Sequence, residues 1–187
     1  MPVTMLDPKT ALVVVDLQKG ILAYASGEAV SGVVRAAGNL CDGFRQHALP
    51  VVLVNVAGGA PGRTEQPRRQ MNPAPDWAEF LPELKQQPSD IVVTKKTWGA
   101  FASTDLEALL KARDITQVVI AGVATGTGVE ATARQAYEQG FNVTLAIDAM
   151  TDIGPEAHDY SIRNVFPRLG ETGATREIID LLPTRSA

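Results

Sequence analysis

Apolar side chains fall along this chain in short unbroken runs, separated by longer stretches with a helical period. Ala11–Val15, Val51–Val56, Ile91–Val93 and Val118–Ala121 are rich in Val and Ile, and Val143–Ile147 is nearly as apolar. Continuous rather than alternating runs predict strands covered on both faces, as in a parallel sheet. Between them, Val33–Ala48 carries apolar residues at Val33, Val34, Ala37, Leu40, Cys41 and Phe44, a stripe of period 3.6. Leu106–Ala112 follows Ser103-Thr104-Asp105, a capping region, and the Ala-rich Val129–Gln139 stops at Gly140. Pro155–Val165 and Thr175–Leu182 complete the predicted helices, with Thr175 and Glu177 favouring the start of the last.

Strand and helix alternate, which predicts an α/β domain with a doubly wound, mostly parallel sheet between two helical layers and right-handed crossovers. Only residues 57–77, with four Pro and three Gly, interrupt the rhythm, and a polar loop of that length predicts a functional or mobile segment. The chain shows no repeat and no linker, so residues 1–187 are expected to form one domain.

Composition narrows the classes. The 187 residues are 45% apolar and 20% charged, the balance of a soluble globular protein. A net charge of −4 argues against nucleic acid or a membrane surface as partner. Cys41 is the single cysteine, so no internal disulfide can form, and a reducing compartment fits. The start "MPVTMLDPKT" lacks a basic segment followed by an apolar core, and no run reaches the ~20 apolar residues of a membrane span. A cytoplasmic location is expected.

In open α/β sheets, ligands bind beyond the carboxyl ends of the strands. That rule selects Asp16, Asn55, the Lys95-Lys96 pair, the loop Gly122–Gly128 and Asp148. Asp16 closes five apolar residues; desolvation raises the pKa of such an acid and a neighbouring cation lowers it, so Asp16 and a lysine from another strand end make a tunable proton-transfer pair. The loop also contains Gly126-x-Gly128-x-x-Ala131, with Asp148 20 residues beyond Gly128, the spacing of a dinucleotide fingerprint. Such a turn follows its strand closely, however, and here Val123, Ala124 and Thr125 intervene, so an oxidoreductase is the weaker reading and no cofactor is expected. Gln18, Trp98 and Phe101 are further candidates to touch a substrate, and Arg63, Arg68 and Arg69 could bind its carboxylates.

The blocks "ALVVVDLQKG", "VVTKKTWGAF" and "VVIAGVATGTGVEATARQAYEQGFNVTLAIDAMTD" resemble, in order and separation, the signature blocks of the isochorismatase-like hydrolases, across about residues 9 to 182. The resemblance implies a Rossmann-like three-layer sandwich on a six-stranded sheet, and an active centre of Asp, Lys and Cys. The Asp matches Asp16 and the Lys matches Lys95, while the nucleophilic Cys falls at position 128, which is Gly128. Thiol chemistry through that position is thereby excluded. Cys41 lies mid-stripe in a helix and reads as a buried, inert thiol. The metal-binding branch uses a D-x-H-H cluster; the two histidines, His47 and His158, lie far apart in helices, so no metal is expected.

Glycine at this position also resembles the isochorismatases of siderophore and phenazine pathways, which cleave a vinyl ether without a thiol. That similarity implies a general acid, Asp16, oriented by Lys95, with amides around Thr127 and Gly128 cradling a carboxylate or oxyanion. It further implies a cis peptide joining Val123 and Ala124, which would aim those amides into the pocket. Two departures separate the chain from those enzymes. Ala57 stands where they carry a substrate-touching glutamine, and Lys96-Thr97-Trp98-Gly99 replaces their Trp-Arg-Tyr-Ser. The expected activity is hydrolysis of a small anionic molecule by an enzyme that forms a homodimer or higher homo-oligomer. A binding protein that has lost its thiol and kept its pocket is the alternative.

Overall fold

The computed structural model describes residues 2–23, 28–65 and 73–183. Its centre is a six-stranded, wholly parallel sheet of β1 (Thr10–Val15), β2 (Val51–Val56), β3 (Ile91–Lys95), β4 (Gln117–Val123), β5 (Asn142–Thr151) and β6 (Glu171–Gly173). The spatial order is β3-β2-β1-β4-β5-β6, so the chain winds outward in both directions from β1 and β4. The helices are α1 (Lys19–Leu22), α2 (Glu28–Gln46), α3 (Leu106–Lys111), α4 (Glu130–Glu138), α5 (Pro155–Tyr160) and α6 (Thr175–Asp180).

Each sheet face buries its own core. Val13, Val15, Val52, Val54, Val118 and Ile120 meet Leu106 and Leu110 of α3, Ala133 and Ala136 of α4, and Phe166. Leu12, Val14, Leu53, Val119 and Ala121, alternating with the first set, meet Leu40, Cys41 and Phe44 of α2 and Ile178 of α6. This two-sided burial explains the unbroken runs: every residue of β1 is buried. No helix among the described residues is long and apolar enough to cross a membrane.

Several boundaries differ from the sequence pattern for physical reasons. The helix α2 begins at Glu28, a turn before its apolar stripe, because backbone bonding can continue beyond the residues that pack. The short β6, whose sequence is ETG, has no apolar run; it pairs with β5 through Thr144↔Glu171 and is an edge seen only once paired. Residues 155–165 are not one regular helix, since α5 passes into a π-type turn at Ser161–Val165 and a 3-10 turn at Phe166–Arg168. Ahead of α4 the chain likewise forms a π-type turn, Thr125–Val129, and Val123–Ala124 is a cis peptide.

The centre of the sheet closes at Gly122. Its register partner is Val15, it holds φ at +120°, and a Cβ there would stand 2.0 Å from the Val15 carbonyl oxygen. A side chain would force β1 and β4 apart directly beneath the residues that end both strands. Left-handed strain and overpacking together make Gly122→Ala cost about 3 kcal/mol or more, so its melting temperature should fall by ~6–12 °C. A thermal scan showing a change under 1 °C would refute the close-approach argument.

Candidate active site

Asp16 is the first residue beyond β1, with a φ of +53°, a conformation Asp tolerates better than most side chains. Its amide donates to Val54 O at 2.8 Å, so the residue stays tied to β2 while its carboxyl leaves the strand plane. Lys95 ends β3, two strands away in the sheet order, and is 2% exposed. Its Nζ donates to Asp16 Oδ2 at 2.7 Å, to Trp98 O at 2.9 Å and to Thr97 O at 3.2 Å. All three ammonium protons are engaged, which is what permits the charge to be buried.

The carboxyl is only half satisfied. Asp16 Oδ1 is buried and has no hydrogen-bond partner among the described residues. Burial pushes the Asp16 carboxyl up to about 6, and the charge and hydrogen bond of Lys95 pull it back only in part. Desolvation therefore outweighs the ion pair, leaving an acid that can hold a proton near neutral pH.

Gly128 lies against this carboxyl. A Cβ at position 128 would stand 3.2 Å from Asp16 Oδ2, from Val123 O and from Val15 Cγ1. Thr132 Oγ1 pins the turn by donating to Gly128 O at 2.7 Å, and accepts from Ala100 N at 3.1 Å. Thus the loop after β3 and the turn before α4 are joined behind the Asp16–Lys95 pair.

A cleft of about 780 Å³, within the range of small-ligand sites, is lined by backbone neighbours of the pair, Ala57 and Trp98, though not by Asp16 or Lys95. Its described lining is small and apolar, with Ala57, Gly58, Ala74 and Ala78, and aromatic at Trp77 and Trp98. Trp98 is 70% exposed, and its carbonyl is one of those holding Lys95. The Ala57 amide donates to Lys95 O at 3.0 Å, so cleft and pair share their backbone.

The remaining candidates separate. Asn55 donates from Nδ2 to Ala78 O at 2.9 Å, while its buried Oδ1 has no partner among the described residues. Gln18, expected to touch substrate, is instead a staple. Its Oε1 accepts from Val56 N at 2.7 Å, and its Nε2 donates to Val56 O and Trp77 O at 3.1 Å, so both of its polar groups are engaged within the protein. Phe101, expected to wall the pocket, is 5% exposed and packs against Phe141 with ring centroids 5.9 Å apart; it is core. Val123 is also core. Ala124 turns its carbonyl back on the chain, accepting from Thr127 N and Val129 N at 3.1 Å. The Thr127 amide is therefore already engaged and unavailable to the expected anion cradle. Arg63 is exposed, and Arg68 and Arg69 lie outside the described residues.

The dinucleotide reading loses its parts in the same way. The Gly126 amide donates to Asp152 Oδ2 at 2.8 Å, and Asp148 Oδ1 accepts from Thr175 N at 2.7 Å and Thr175 Oγ1 at 2.8 Å, which anchors α6 rather than a ribose. Cys41 is buried in α2, and burial pushes its thiol up to about 12. Among the described residues no group of three or more His, Cys, Asp or Glu could hold a metal ion.

Three residues to which the sequence reasoning gave no role at the site converge on the turn. Asp152 holds Gly126, His158 Nδ1 shares a hydrogen bond with Thr125 Oγ1 at 2.8 Å, and Glu130 Oε2 accepts from Ser161 Oγ at 2.6 Å. The strand-end rule would have selected Asp152 had β5 been drawn to Thr151, where it ends. His158 carries no sequence signal, since only the fold lays α5 against the turn.

Comparison with known proteins agrees with this architecture. The family model for the isochorismatase domain matches residues 10–177. The uncharacterized isochorismatase family protein YwoC of Bacillus subtilis is 42% identical over 181 residues, covering 92% of this chain and 93% of that protein. The ureidoacrylate amidohydrolase RutB of Pseudomonas savastanoi pv. phaseolicola is 31% identical over 189 residues, covering 83% and 76%. An isochorismatase family protein from Burkholderia thailandensis superposes with a TM-score of 0.90 at 37% identity, covering 95% of this chain and 97% of that one.

Since Lys95 is the group that lowers the Asp16 pKa, its removal should raise it further. In Lys95→Met, of similar length and no charge, the midpoint of the Asp16 carboxyl ¹³C titration should move upward from about 6. A midpoint that stays in place would show that the ion pair does not govern this acid.

Proposed function

This chain belongs to the isochorismatase family of hydrolases, and we propose that it acts through acid–base chemistry of Asp16 and Lys95, without a covalent thiol, on the vinyl ether of a small anionic substrate. The observation that carries the proposal is the buried Asp16–Lys95 contact at 2.7 Å, with Asp16 Oδ1 unbonded among the described residues and Gly128 offering no side chain. Relatives named as amidohydrolases act on other bonds; here position 128 offers no nucleophile, and Cys41 is held as a neutral thiol inside α2.

An enol ether needs an acid first and water second. Lys95 occupies Oδ2, so the transferable proton sits on Asp16 Oδ1. It passes to the terminal vinyl carbon, and the adjoining carbon becomes an oxocarbenium ion. The carboxylate left behind is stabilised by the ammonium of Lys95. Water then adds to the cationic carbon and returns a proton to Asp16. The resulting hemiketal collapses to a keto acid and an alcohol, leaving the enzyme as it began.

The cleft suits a ring-bearing substrate laid against Trp98. Asn55 Oδ1, a buried acceptor, suits a substrate hydroxyl. Lys96, whose side chain stands beside Gly58 of the cleft, suits a carboxylate at the rim.

Isochorismate is the first compound to assay, with pyruvate release read through lactate dehydrogenase, alongside ureidoacrylate with ammonia as the readout. Asp16→Asn should lose a factor of ~10²–10⁴ in kcat while its circular dichroism is retained. Because the working form is protonated and its pKa is about 6, the rate should be full below that pH and fall about tenfold per pH unit above it. Full activity of Asp16→Asn, or ammonia release from the amide in place of pyruvate, would overturn the proposal.

A further inference from the structure

The turn that presents Gly128 to Asp16 is held by one segment of chain at three points. Asp152, immediately beyond β5, accepts the Gly126 amide through Oδ2 at 2.8 Å. One turn of α5 further on, His158 Nδ1 meets the fully buried Thr125 hydroxyl at 2.8 Å. Ser161, 1% exposed at the start of the π-type turn, donates to Glu130 Oε2 at 2.6 Å. The other Glu130 oxygen takes Arg134 Nε at 2.9 Å, so this carboxylate is fixed from both sides. Packing reinforces the bonds, because Gly126 lies under Ala157, where an added Cβ would come within 3.3 Å of the alanine methyl.

These contacts bracket Gly128, from Thr125 three residues before it to Glu130 two residues after it. The turn in turn covers the Asp16 carboxyl, since the space a side chain at 128 would fill is bounded by Asp16 Oδ2 at 3.2 Å. Nothing in this arrangement touches the cleft directly: neither Asp152 nor His158 lines it. Their hydrogen bonds serve the placement of the turn.

We propose that Asp152 and His158 are positioning residues, a clamp from the β5–α5 segment that seats the Thr125–Val129 turn over Asp16 and keeps water from its carboxyl. Ser161 completes the clamp through Glu130. The proposal rests on the reading of Asp16 as the catalytic acid. Its test follows the carboxyl itself and needs no turnover, so failure of the hydrolase reading would leave this result legible.

The experiment is the ¹³C-detected titration of Asp16 in the full-length protein. Loosening the clamp admits water, which relieves the desolvation holding the acid up, so the midpoint should move down. In His158→Phe and Asp152→Leu it should fall from about 6 by at least one pH unit. His158→Asn and Asp152→Asn keep a group able to make the same hydrogen bond and should hold the midpoint within ~0.3 of the parent. The two Asp152 variants lose the same charge, so their difference isolates the bond to Gly126. Leu40→Ala, a core truncation on the opposite face of the sheet, supplies comparable destabilisation away from the clamp and should leave the midpoint unchanged. An unchanged midpoint in both His158→Phe and Asp152→Leu would overturn the clamp. So would an equal fall in Leu40→Ala, or equal falls in the Asn and Leu variants of Asp152.

Discussion

The site depends on a contest between desolvation and one ion pair. Asp16 and Lys95 come from the ends of strands that are not neighbours, and the parallel sheet brings them together at 2.7 Å in a place closed to water. Lys95 tolerates that burial because two backbone carbonyls take the protons that Asp16 does not. Asp16 is less well provided for, since one oxygen is paired and the other is buried without a partner among the described residues. A buried pair with every group satisfied would be an inert strut. Burial, only partly offset by Lys95, is what raises the acid into a range where it can exchange a proton.

The glycines around this pair have distinct functions. Gly122 has no side chain because β1 and β4 approach too closely to admit one, and that approach sets where Asp16 emerges. Gly128 keeps the space next to the carboxyl free of side-chain atoms. With a nucleophile at that position, the Asp and Lys would be placed to activate it; with glycine there, no side chain of the turn stands against the acid. A single missing side chain therefore changes which chemistry the same framework suits, while the sheet, the pair and the turn persist.

Local and distant bonds share the work of fixing the loops. Gln18 reads locally as a polar residue near a strand end, yet it is buried and bonds Val56 and Trp77, joining β2 to the far end of the long loop. Phe101 follows the lysine in sequence and packs instead on Phe141, across the α3–α4 side of the sheet. In each case the sequence position is close to the site, and the direction of the side chain was decided by which neighbour satisfied it. The Thr127 amide makes the same point for the backbone: a helix start offers free donors only until a preceding carbonyl, here that of Ala124, turns back to accept them.

By itself the sequence determined the parallel α/β architecture, five of the six strands and the family, because unbroken Val/Ile runs and spaced signature blocks are local properties of the chain. It also determined that no thiol stands at position 128. It could not determine β6, whose three residues become a strand only by pairing with β5. Nor could it determine that burial raises the Asp16 carboxyl, or that Asp152 and His158 bond to the turn. Hydrogen-bond satisfaction and desolvation are set by what surrounds a group in three dimensions. Residues 79 apart, as Asp16 and Lys95 are, acquire a common environment only once the sheet has formed.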